Sequence, residues 1–80
     1  MTAADVLIRE VRARDGDRVG TVYFEWQLSR PGQLAIVRTG NFDDAVAVAV
    51  RLLAEQGGQI FVQRRHVAPS WYRSVSGDTL

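Results

Sequence analysis

The sequence predicts an α+β domain: a mainly antiparallel sheet of four to five strands with one helix packed on one face. Three observations predict it. Residues 21–28 alternate apolar and polar side chains with a period of two, and residues 45–53 carry an apolar stripe at helical spacing. Asp-Gly, Pro-Gly and Gly-Gly pairs punctuate the chain between such runs. The element order is β-β-β-α-β with a short last strand, all within one domain over residues 1–80 whose tail, from about residue 77, is expected to fray.

The first strand is expected over Val6 to Arg12 (VLIREVR), rich in β-branched and aliphatic residues, followed by an Asp-Gly turn at Arg14 to Arg18. In the second, Val22, Phe24, Trp26 and Leu28 point one way and Thr21, Tyr23, Glu25 and Gln27 the other. The first set should meet the core, which leaves Tyr23 and Glu25 solvated or offered to a partner. Ser29-Arg30-Pro31-Gly32 is a turn, because proline presets one central φ and glycine tolerates the positive φ of the next. A third strand, Gln33 to Thr39, has apolar residues on both faces (Leu34 and Ile36 against Ala35 and Val37). It is expected inside the sheet, completing a three-stranded meander.

Between Gly40 and Gly58 the period becomes helical: Ala45, Val46, Ala49, Val50, Leu52 and Leu53 form the stripe, with Asp44, Arg51 and Glu55 opposite. Asn41 or Asp43 can cap the N-terminus, Phe42 is placed as a hydrophobic staple, and Gly57 suits a left-handed C-cap. Val46, Val48 and Val50 lose side-chain freedom in a helix, so the segment needs the sheet beneath it. Ile60 to Val67 (IFVQRRHV) reads as the fourth strand, and beyond Pro69, Trp71 to Ser76 as a fifth on an edge. One helix leaves part of the sheet uncovered, so Tyr23, Glu25, Gln27, Thr39 and part of the C-terminal segment are expected to meet water or a partner.

Composition narrows the function. With 80 residues, 46% apolar and net charge +1, the chain has room for one small core. It has no cysteine and a single histidine, His66, so neither a disulfide framework nor a Cys/His zinc site is expected. The longest strongly apolar stretch, Ala45 to Val50, is far below the ~20 residues that span a bilayer, and no basic-then-apolar leader opens the chain. A complete cytoplasmic protein without membrane association is expected. All ten basic residues are arginine, which beside abundant Ala and Val fits a GC-rich genome better than selection for bidentate contacts. A charge of +1 is too small to mark a nucleic-acid binder and argues against a strongly acidic DNA mimic.

Catalytic constellations are weak. His66 and Ser70 are four positions apart across a proline, outside any helix. Asp43-Asp44 is explained by helix capping and Asp15/Asp17 by turn chemistry. Gly57-Gly58 follows a helix and cannot be a phosphate loop, so no nucleotide, metal or other cofactor is expected. The strongest cluster is Arg64, Arg65 and His66 with Trp71, Tyr72 and Arg73, a stretch free of acids, with Tyr23 as an outlying member. These residue types suit a protein hot spot and also single-stranded nucleic acid. A purely structural role fits too: Trp71 or Tyr72 closing the core edge, Arg64 and Arg65 discouraging edge pairing.

A meander, then one helix (FDDAVAVAVRLLAEQGG), then a strand (IFVQRRHV), in a small cysteine-free chain, resembles small phage and mobile-element proteins of the anti-CRISPR type. The resemblance covers nearly the whole chain, rests on organisation, and carries over no residue. It implies a non-enzymatic inhibitor that binds a CRISPR effector complex in the bacterial host cell and blocks target DNA binding or nuclease recruitment. Near-neutral charge departs from the DNA-mimic members and favours arginines and aromatics set against a protein surface. Two other readings stay open: a nucleic-acid-binding module using the basic and aromatic C-terminal strand, and a dimerising accessory domain. The chain is accordingly expected as a monomer or homodimer.

Overall fold

The computed structural model describes residues 1–14 and 22–77, with the side chains of 13, 14, 22 and 23 outside the description. The elements are β1 (Val6–Arg14), β2 (Val22–Ser29), β3 (Val37–Thr39), α1 (Phe42–Leu53), β4 (Gly58–Gln63) and β5 (Ser70–Val75). They form one five-stranded sheet in the order β3-β2-β1-β4-β5. Three neighbouring pairs are antiparallel, and β1 with β4 is parallel. The α+β class and the mainly antiparallel sheet are therefore found, with one parallel pair that makes it mixed.

The parallel pair follows from the helix. β3 runs with β1, because each is antiparallel to β2, and β4 runs with β1 as well. Joining two parallel strands requires a crossover, and α1 supplies it, passing over β2 and β1 on the way from β3 to β4. Along that path it buries Ala45, Ala49 and Leu53 against Val6, Ile8, Trp26, Leu28, Ile60 and Val62. These are the alternate residues of β1, β2 and β4 in matched register: Ile8 lies opposite both Leu28 and Val62, and Val6 opposite Ile60.

Both helix ends have local causes. Asn41 is extended (φ −125°), and its side-chain oxygen accepts from the Asp43 N–H at 2.8 Å and the Asp44 N–H at 3.4 Å. Phe42 is the first helical residue, half-buried against Trp26, and so packs from inside the helix and not as a staple ahead of the cap. At the other end the Gly57 N–H donates to the Leu53 carbonyl at 2.7 Å with φ +77°. A Cβ on Gly57 would lie 2.7 Å from the Gly77 nitrogen, so the cap also lets the end of the chain lie close.

Three sequence expectations are corrected. The third strand is only Val37–Thr39 and lies at an edge of the sheet, outside the Gln33–Ile36 segment, where Leu34 is 92% exposed. The Pro31-Gly32 turn forms as expected, with the Gln33 N–H donating to the Arg30 carbonyl and Gly32 at φ +77°. After it, the chain bonds β2 first through the Ile36 N–H to the Leu28 carbonyl at 2.7 Å, too late for Leu34 to join the ladder. The fourth strand stops at Gln63; Arg64 to Val67 form a turn closed by the Val67 N–H on the Arg64 carbonyl, with His66 at φ +62°. Thr39 lies opposite Trp26 and hence on the helix side, while Glu25, on the uncovered side, is buried. The expected Asp-Gly turn at Arg14 to Arg18 lies largely outside the described residues.

Candidate functional site

The residues singled out from sequence divide between the two faces of the sheet. Arg64 lies on the helix side, its guanidinium carbon 5.4 Å from the centre of the Trp26 ring and 6.0 Å from that of Phe42. Tyr72 meets the same Phe42 edge-on at 5.5 Å, and Phe42 meets Trp26 at 4.8 Å. Four side chains from β2, α1, the β4–β5 turn and β5 thus form one stack, with arginine over the ring faces where their quadrupole attracts a cation. Arg65 is committed separately: its guanidinium carbon lies 4.0 Å from the Phe24 ring centre, and Nε lies 3.9 Å from Glu10 Oε1. The Arg65 backbone N–H also donates to that carboxylate at 3.3 Å.

Trp71 is on the opposite face. It pairs with Phe61, which alternates with the buried Ile60 and Val62, and its Nε1 donates to Gln59 Oε1 at 2.6 Å while 60% of the residue stays exposed. Ser74 Oγ donates to the same Gln59 oxygen at 2.7 Å. Adjacent residues can lie on unlike faces, but Arg73 pairs with Ile60 and Trp71 with Phe61, leaving Tyr72 as the extra residue of a bulge. The bulge puts Tyr72 on the helix side, against Phe42, and Arg73 opposite a core residue. His66 is exposed at the turn, and Tyr23 stands opposite Ala13 on β2, its side chain outside the described residues.

The uncovered face carries a row that sequence reading missed. Arg38, Gln27, Arg9 and Gln63 lie side by side across β3, β2, β1 and β4. Two concavities share Arg9. One, of about 440 Å³, is lined by Arg9, Gln27, Ser29, Gln33, Leu34 and Arg38, with Ala35 beside them. The other, of about 280 Å³, lies where β1 outruns β4 and includes Glu10, Arg12, Gln63, Arg65 and His66. Glu25 sits next to the row, accepting from Gln27 Nε2 at 3.3 Å. No local signal marks this row, since Arg9 and Arg38 are 29 positions apart and become neighbours of Gln27 only through strand pairing.

Asp5 is a second residue missed from sequence. Just ahead of β1 it is only 4% exposed, and its carboxylate accepts from the Thr2 N–H at 2.7 Å and the Gln59 N–H at 3.1 Å. Those backbone bonds, that to Thr2 foremost, hold its pKa below the ordinary carboxylate value against the opposing effect of burial. It ties the start of β1 to the start of β4, a structural task. Among the described residues no group of three or more His, Cys, Asp or Glu could hold a metal ion, and no helix is long and apolar enough to cross a membrane. Comparison with protein-family models, curated proteins and solved structures finds no match to this chain.

Proposed function

We propose that this chain is a non-enzymatic protein-binding inhibitor of the anti-CRISPR type, which engages a CRISPR effector complex and blocks target DNA binding or nuclease recruitment. The contact surface centres on Arg64, Arg65 and His66 of the β4–β5 turn with Tyr72 and Arg73, and extends over the edge to Trp71 and towards Tyr23. One observation supports a protein over a nucleic acid at this end: the two turn arginines are stacked on Trp26, Phe42 and Phe24, and Arg65 is also paired with Glu10. Guanidinium groups fixed in this way present flat, pre-ordered surface at low entropic cost, beside exposed Phe24, Val67 and Tyr72. Phosphate binding would instead favour arginines without a carboxylate partner.

The test is a target-DNA binding and cleavage assay with purified effector complex and its nuclease. Stoichiometric chain should abolish cleavage, with or without loss of DNA binding, and Arg64→Glu combined with Arg65→Glu should weaken that inhibition by about tenfold or more, roughly 1.4 kcal/mol. A matched thermal melt keeps a folding defect from being mistaken for lost contact. Effector complexes that both bind and cleave target DNA normally with the wild-type chain present would refute the inhibitor reading, and a folded double variant of full potency would refute the surface.

A further inference from the structure

We propose that the groove between β1, β2, β3 and the Gln33–Ile36 segment is a binding site for the phosphate group of a small phosphorylated ligand. It lies at the far side of the sheet from the β4–β5 turn and does not rest on the inhibitor reading. The groove holds about 440 Å³, within the range of small-ligand sites, and no carboxylate is among its lining residues.

Its chemistry is set by register. Arg9 and Arg38 both flank Gln27, one on each neighbouring strand, so two strand spacings, roughly 10 Å, separate their backbones. Side chains of arginine length close over an oxyanion placed above Gln27. Among the described residues neither guanidinium is ion-paired, in contrast to Arg65 on Glu10, and neither is spent on a backbone carbonyl, in contrast to Arg30, which donates to the Leu52 carbonyl at 3.4 Å. Two unpaired cations on either side of Gln27 make this part of the sheet electropositive, and a bound dianion between them would be attracted by both. The Ser29 hydroxyl and the Gln33 amide add neutral donors at the same rim.

The remaining walls define the rest of the ligand. Leu34, nearly fully exposed, and Ala35 stand over one side and present apolar surface to whatever carries the phosphate. Glu25, an acid on this face, already accepts from Gln27 Nε2, and among the described residues the Gln27 side-chain oxygen accepts no hydrogen bond. A flat heterocycle against Leu34, with a donor for Gln27 and its phosphate between the arginines, satisfies every group. A mononucleotide has that form.

Titrating isotope-labelled chain with inorganic phosphate, adenosine monophosphate, adenosine, a short single-stranded oligonucleotide, and sodium chloride at matched ionic strength tests this by amide shifts. Saturable shifts at Arg9, Gln27, Ser29, Gln33 and Arg38 with both phosphate and adenosine monophosphate are expected, the nucleotide binding more tightly. Arg38→Gln, at an exposed edge-strand position, should weaken both at least tenfold with the rest of the spectrum unchanged. Equal shifts with sodium chloride or with adenosine overturn the phosphate assignment, as do shifts that Arg38→Gln leaves intact. An oligonucleotide that binds more than tenfold tighter than the mononucleotide overturns the small-ligand part.

Discussion

Replacing Asp5 by asparagine should cost stability in a way that depends on pH. In the wild type both carboxylate oxygens accept backbone N–H groups, from Thr2 at 2.7 Å and from Gln59 at 3.1 Å, in a residue almost wholly enclosed. Asparagine keeps one acceptor, for Gln59, and turns its NH₂ towards the Thr2 N–H, setting donor against donor. Losing one charge-assisted bond and weakening the other should cost about 1–3 kcal/mol at neutral pH. For a domain of this length each kcal/mol shifts the melting temperature by about 4–8 °C.

The pH dependence has a fixed sign. Because the folded Asp5 pKa lies below its unfolded value, near 3.9, the unfolded chain binds more protons in that region and stability rises with pH. The contribution is complete above the unfolded pKa and is lost as pH falls through the folded one. Urea melts of wild type and Asp5→Asn from pH 7 to pH 2.5 should therefore converge below about pH 4. A gap that stays constant over this range, or no gap at pH 7, would refute the assignment of Asp5 as an ionised clamp.

Leu28→Ala should destabilise by about 2–5 kcal/mol, since Leu28 is fully buried between Ile8, Val37 and the helix; chemical denaturation with an unchanged m-value checks it. Gly58→Ala should cost more than Gly32→Ala. Both glycines have positive φ, but a Cβ on Gly58 would meet the Ala4 carbonyl oxygen and a Leu53 methyl at 2.8 Å, whereas nothing lies within 4 Å of one on Gly32. A Gly32 variant that costs about 1–2 kcal/mol and a Gly58 variant that costs no more would overturn that ranking.

How much was legible in the sequence depended on whether the deciding interaction was local. The helix was readable because its cap, stripe and terminal glycine all lie within seventeen residues, from Asn41 to Gly57. Strand β2 was readable because its alternation is strict. By contrast Leu34 looks like a strand residue in any window; what excludes it is that β2 is bonded only from Ile36 onward. The faces of Trp71 and Tyr72 were hidden for a sharper reason. A bulge opposite Ile60 and Phe61 adds one residue and reverses the parity of β5, so alternation counted along the sequence assigns them wrongly on one side of it. Neither Asp5 nor the Arg9–Gln27–Arg38 row has any neighbour in sequence that foretells its partner in space.

The same geometry explains why the Arg9–Gln27–Arg38 row lies on an open face. Five strands spaced about 4.8 Å apart span roughly 19 Å, while one helix about 10 Å in diameter covers two or three of them on one side only. A chain with one helix among its described residues leaves the other side of the sheet bare, and here that side carries the Arg9–Gln27–Arg38 row beside half-buried Leu7, Val11 and Phe61. Arg9 borders both of these concavities, so its substitution would disturb the groove beside Arg38 and the notch beside His66 together. Arg38 borders only the first and Arg64 only the second. Substituting those two separately therefore assigns any binding to one end of the sheet or the other: loss with Arg38 alone would belong to the proposed phosphate groove, and loss with Arg64 alone to the proposed protein contact at the β4–β5 turn.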